Sequence, residues 1–110
     1  MTINEYQKWA MVTAKKALSK KEMLINGVMG LCGEAGETID IVKKYLFHGH
    51  ELNREKLLEE LGDVAWYLAE TCSALDTDLE SVLVANVEKL RKRYPEGFDS
   101  YRSIHRDENN

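Results

Sequence analysis

A single proline, Pro95, interrupts a chain of 110 residues, so the residue that most firmly breaks helices is absent from everything before it. Apolar residues there recur every three to four positions, and the breaks between them carry helix-capping chemistry. "TINE" is a capping-box pattern, with Thr2 as cap and Glu5 three residues on. It opens a first helix that should run to about Leu18. "SKKE" reads as the link to a second helix, from about Glu22 to Phe47. In "HGHELN", Gly49 can take the left-handed conformation that ends helices, and Asn53 can cap a third helix carrying "REKLLEELGDVAWYLAETCSAL". Thr77 with Glu80 is another capping box, Asp78 an equal alternative cap, for a fourth helix that ends at "RYP". No strand alternation, low-complexity run or linker is present. The expectation is an all-α fold, a four-helix bundle protomer. Residues 1–98 form one domain and 99–110 a polar tail, loosely ordered near its end.

Composition limits what such a bundle does. Hydrophobic residues make up 44% and charged residues 31%, as in soluble globular proteins. The formal net charge of −4 argues against nucleic acid as a partner, although bound metal ions can reverse the local sign and admit a nucleotide. The chain shows neither a leader-like start nor an apolar run long enough for a bilayer, so no membrane association and a cytoplasmic location are expected. Cys32 and Cys72 fall in helical patterns and are expected to be buried free thiols.

The second helix carries the stripe Leu24, Val28, Leu31, Ala35, Ile39, Val42 and Leu46. With Leu24 at zero, Glu34 falls at about −80° and Glu37 at about −140°. The third helix carries Leu57, Leu61, Val64, Leu68, Cys72 and Leu75. With Leu57 at zero, Glu60 falls at about −60° and Asp63 at about −120°. Each helix therefore sets an i, i+3 carboxylate pair on the same flank of its stripe, and antiparallel packing would let the four converge. Taken singly, such pairs are ordinary surface residues; the matched flanks raise the chance of a site. Converging carboxylates need a counter-charge. Hard oxygen ligands suit Mg²⁺, or Mn²⁺. A di-iron site would want Glu-x-x-His, which the chain lacks. Gly36 and Gly62 each precede one carboxylate, and glycine there is expected to let the helices approach closely.

Cations follow. In the fourth helix Asn86 interrupts the row Leu79, Leu83, Leu90, and a buried amide needs partners. Lys89 and Arg93 lie on a neighbouring strip, and Lys44 lies on the Glu37 side of its helix. An amide with cations beside a metal site is what a polyphosphate requires; a solvated basic face is the plainer reading. His48 and His50 are assigned to a polar connection rather than to metal. Tyr6, Gln7 and Trp9 could meet a base, with core or interface packing as the simpler role.

"GEAGE" followed by "EELGD" resembles the ExxE…ExxD pattern of the MazG-type all-α nucleoside triphosphate pyrophosphohydrolases, and "NVEKLRKRYPEGF" is similar to the segment that follows in bacterial and phage members. The resemblance spans the second helix to Phe98. It implies a homodimer or homotetramer of helical protomers, acting as a Mg²⁺-dependent enzyme that cleaves a nucleoside triphosphate at the α–β bond to monophosphate and pyrophosphate. Glu34, Glu37, Glu60 and Asp63 would be metal ligands, with Glu37 as the base. Asn86 and Lys89 would meet the phosphates. The alternatives are a non-catalytic helical interaction module and a hydrolase of another nucleotide pyrophosphate. Finally, Trp66 lies about 180° from the Leu57 stripe. It is expected to be covered by a second protomer, with the first helix or the tail as the intrachain alternative.

Overall fold

Caps and periodicity yield helices nearly throughout. A computed structural model describes residues 1–106, and among these there are five helices and no strand: α1 (Ile3–Val12), α2 (Lys20–Phe47), α3 (Arg54–Ala74), α4 (Leu79–Arg93) and α5 (Ser100–Ile104). The fold is all-α. The chain divides into two units, Met1–Leu79 and Glu80–Asn110. The last four residues of the tail, 107–110, lie outside the described residues.

In the first unit α2 and α3 form an antiparallel hairpin, and α1 packs on α3. The Thr2/Glu5 capping box forms as expected, yet α1 stops at Val12 rather than near Leu18. The cause is tertiary. The Trp66 indole N–H donates to the Ala10 carbonyl (3.1 Å) and the Thr13 hydroxyl (2.9 Å), while the Thr13 hydroxyl itself donates to Ala10 (2.8 Å). These donors satisfy a carbonyl at the helix end and tie it down. The Trp66 indole is therefore met by the chain's own first helix, the intrachain alternative, which leaves the side chain half-buried.

"SKKE" is not a linker. Ser19 and Glu22 form a complete capping box and start α2 at Lys20. At the other end Gly49 adopts φ 74, and the His48 and His50 N–H groups both donate to the Lys44 carbonyl at 3.1 Å. Asn53 caps α3 as expected, accepting from the Lys56 N–H. The end of α3 is closed by a Schellman pair, Thr77 N–H to the Cys72 carbonyl (3.0 Å) and Asp76 N–H to that of Ser73 (3.1 Å). Asp76 takes the left-handed position (φ 55) usual for glycine, and Lys20 pairs with its carboxylate at 2.9 Å. The Gln7 amide, nearly buried, bonds Ser73, the Thr77 carbonyl and the Leu79 N–H, and so clamps α1 onto this turn rather than facing a base.

The faces that pair are not the expected stripes. On α2, Gly27, Gly30 and Glu34 meet Thr71, Tyr67 and Glu60 of α3, a surface rotated by roughly 100° from the Leu24 stripe. Val28, Ile39 and Leu46 of that stripe are exposed, as are Leu61 and Leu75 of the α3 stripe, while Leu24, Leu31, Val42, Leu57, Val64 and Leu68 are half-buried and Cys72 is buried. Glycine decides the choice. A Cβ at Gly30 would run into the Tyr67 ring, and one at Gly27 would lie 3.2 Å from the Thr71 backbone nitrogen. The close approach is thus real at Gly27 and Gly30, but Gly33, Gly36 and Gly62 have nothing within 4 Å and do not serve it. Cys72 is buried, whereas Cys32 is exposed; both are free.

The second unit contains most of α4 and the short α5, whose N-cap Asp99 accepts from the N–H groups of Tyr101 and Arg102. The tail thus carries a helix that its polar composition did not announce. Tyr94 packs on Phe98 with centroids 5.3 Å apart, beside Gly97 at φ 96. Asn86, expected in a buried row, is exposed along with Leu83 and Leu90. Among the described residues no helix is long and apolar enough to cross a membrane.

Candidate metal centre

Because the paired surface of α2 and α3 is the carboxylate flank, it drives acidic side chains together. Glu34, Glu37 and Glu60 present oxygens that all lie within 4.8 Å of one another. They differ in setting: Glu37 is exposed, Glu34 half-buried, and Glu60 only 2% exposed. One oxygen of Glu34 and one of Glu60 (Oε2 in each) are buried without a hydrogen-bond partner. Two ionised carboxylates have acceptors only, so facing oxygens demand a proton or a cation.

The titration follows that geometry. Glu34 is pushed up to about 7, chiefly by the hydrogen bond its acid form makes to Glu60, with desolvation and repulsion from Glu60, Glu37 and Asp63 adding to it. Glu60 is held below the ordinary carboxylate range by that same bond and by Lys56, whose ammonium sits 3.0 Å from its other oxygen, Oε1. The geometry thus favours a proton shared by the pair, with Glu34 the more readily protonated partner. A divalent cation fits this donor set. It would satisfy both orphaned oxygens at once, and an all-carboxylate group matches the preference of Mg²⁺ and Mn²⁺ for hard oxygen.

Asp63, the fourth carboxylate expected, is exposed and stands outside the group of three. It lines a neighbouring hollow of about 350 Å³ with Glu34, Trp66 and Tyr67. Its charge also helps push the Tyr6 phenol up, after the larger effect of burial. Trp9 is 67% exposed.

Beside the cluster opens a cleft of about 620 Å³ between α2, the α2–α3 connection and the start of α3. Glu37 and Glu60 line it, together with Lys44, Lys56, Asn53 and His50. Lys44 is held by Asp40 at 3.0 Å. Among the expected cations, Lys44 therefore shares a cleft with the carboxylates. Asn86, Lys89 and Arg93 belong to the second unit, where Lys89 lines a shallow hollow on α4 with Ala85, Glu88 and Lys92. Sequence reasoning missed Lys56 and Asp40. The signal for Lys56 was its place four residues before Glu60, one helical turn away and on the same face.

Comparison with known proteins bears on the family. Residues 25–98 match the family model described as "MazG nucleotide pyrophosphohydrolase domain". The chain is similar to the "Gene 37 protein" of Mycobacterium phage L5, 44% identical over 73 residues, which is 63% of this chain and 64% of that protein. The chain thus spans a little under two thirds of the relative's length. No solved structure matches.

Proposed function

Since the chain belongs to the MazG nucleotide pyrophosphohydrolase family, we propose that it is a Mg²⁺-dependent enzyme that hydrolyses a nucleoside triphosphate at the α–β bond, releasing the monophosphate and pyrophosphate. The observation that carries this reading is the convergence of three carboxylates, Glu34, Glu37 and Glu60, at the edge of a lysine-lined cleft, with buried oxygens on Glu34 and Glu60 that find no donor beyond a proton shared between them. A non-catalytic interaction module would have no use for carboxylates crowded until a shared proton is their one donor, since such crowding costs stability.

Glu34, Glu37 and Glu60 would hold the ion, with Asp63 completing the set. When bound, a divalent ion supplies the charge that offsets a triphosphate and makes water acidic enough to attack at neutral pH. Glu37 belongs both to the cluster and to the cleft lining, so it is the carboxylate able to take a proton from water entering the cleft. Lys44 sits across the same cleft and would bind phosphate oxygens. Asn86, Lys89 and Arg93 are further phosphate-binding candidates from α4. Assembly as a homodimer or homotetramer is part of the proposal. The outward face of α2 exposes Ile25, Val28, Met29, Ile39 and Leu46, more apolar surface than a lone protomer of this size favours. Residues 1–98 are proposed as the functional domain.

The test is a panel of nucleoside triphosphates and diphosphates incubated with Mg²⁺, with pyrophosphate and orthophosphate assayed separately. Pyrophosphate release with the monophosphate identifies α–β cleavage. Orthophosphate alone, or no turnover of any nucleotide, refutes the reading.

A further inference from the structure

The carboxylate cluster already has a cation beside it, supplied by the chain. Lys56 Nζ lies 3.0 Å from Glu60 Oε1 and 3.8 Å from Glu59 Oε2. The two ends of the main pair are unlike: the Glu60 side chain is 3% exposed and that of Lys56 48%. An ammonium is thus drawn onto a buried carboxylate while its stem stays in the mouth of the cleft that Lys44 lines from the other side. An ordinary i, i+4 surface pair has both partners in water and contributes a few tenths of a kcal/mol. This one touches a proposed metal ligand.

We infer that Lys56 works in two positions: it neutralises Glu60 while the cluster lacks its divalent ion, and it turns into the cleft to bind the terminal phosphates of the nucleotide, and then pyrophosphate, once the ion takes over Glu60. This rests on the proposed function. The physical reason is competition for one charge. Were a divalent ion held at Glu60, it would offset the field that holds Lys56, and the two like charges would repel. Lysine suits the exchange because its ammonium is a compact charge with rotatable donors on a flexible stem, and it satisfies phosphate as readily as carboxylate. The lysine released in this way stands at the opposite wall from Lys44. Lys44 is anchored by Asp40, a residue outside the cluster, and does not need to move. The two lysines would grip the phosphates that leave, while the carboxylates would hold the ion and Glu37 would take the proton of the attacking water.

Lys56→Met tests the inference, because methionine keeps the stem and the helix propensity while removing the charge. Lys43→Met is the control. Lys43 is also on the hairpin and lies 3.8 Å from Asp40, but does not line the cleft. MgCl₂, then inorganic pyrophosphate with Mg²⁺, is titrated calorimetrically into wild type and both variants, and KM and kcat are measured. In Lys56→Met, Mg²⁺ alone should bind about twofold to fivefold more tightly, the worth of a half-exposed ion pair. Pyrophosphate should bind about tenfold more weakly, as expected for one charge-assisted contact. KM should rise by a similar factor with kcat changed much less. Lys43→Met should match wild type throughout. Unchanged Mg²⁺ affinity, unchanged pyrophosphate affinity, or equal effects in the two variants would overturn the inference. Wild-type protein that binds neither probe would overturn the proposed function instead, and this inference with it.

Discussion

One helix holds the same glycine spacing twice and uses it in opposite ways. Gly27 and Gly30 press α2 against Thr71 and Tyr67, leaving no room for a methyl group. Gly33 and Gly36, three residues further on, meet nothing within 4 Å and border the cleft beside Glu37. The first pair brings the helices together. The second leaves space where the carboxylates gather. The contact built at one end of the hairpin therefore creates the crowding of charge at the other, and packing and chemistry are separable along a single helix.

The largest expected effect breaks the chemical end alone. Glu34→Gln keeps the shape but removes a ligand charge and the shared proton, and should lower Mg²⁺-dependent turnover by about 100-fold or more. Because Glu34 is a strained acid in the metal-free protein, that variant should melt no lower than wild type without Mg²⁺. A large drop in melting temperature would tie the two ends together and undo the comparison.

Next comes the packing end. Gly30→Ala drives a methyl group into the Tyr67 ring, which is itself fixed edge-on against Trp66 with centroids 5.1 Å apart. Overpacking of this kind costs about 1–3 kcal/mol, to be read from urea unfolding. Gly27→Ala should cost less, because the Thr71 hydroxyl can rotate while the backbone contacts at 3.2–3.3 Å yield slightly.

A third measurement sharpens the electrostatic side. The folded protein holds the Glu34 proton up to about pH 7, so Mg²⁺ must displace it below that pH. Apparent Mg²⁺ affinity should therefore be flat above pH 7 and fall by about tenfold per pH unit beneath it. Glu34→Gln has no proton to displace and should lose the slope. An affinity independent of pH between 5 and 7 in wild type would contradict the shared proton.

The smallest effect has the opposite sign from the second. Gly33→Ala and Gly36→Ala meet open space and gain helix propensity, so each should stabilise by up to about 1 kcal/mol. If turnover falls while stability rises, these glycines make room for whatever occupies the cleft. Loss of stability would mean that a surface outside the protomer packs on them.

Much of the fold was legible because it is decided within a turn of the chain. The Thr2/Glu5 box, the Asn53 cap and the left-handed Gly49 involve residues no more than a few positions apart, and the structure has each of them. The i, i+3 carboxylate spacing was equally local, and it pointed to Glu34, Glu37 and Glu60 before any contact was known. Two local signals were misread: "SKKE" is a capping box rather than a linker, and Lys56 announced itself only as the residue one turn before Glu60.

Tertiary structure alone decided which faces meet. Apolar content favoured the Leu24 stripe, yet α3 packs closest on the flank where Gly27 and Gly30 let backbones approach, so that Leu24, Leu31 and Val42 are half-buried and Val28, Ile39 and Leu46 are left outward. Shape outweighs hydrophobicity there because contact energy depends on how many atoms reach van der Waals distance, and only glycine allows that at the crossing. The same long-range partners ended α1 at Val12 through the Trp66 indole and set three carboxylates together with Asp63 apart. A sequence specifies what each helix can offer. Which offer is taken is a competition between surfaces distant in the chain, and no local pattern records its outcome.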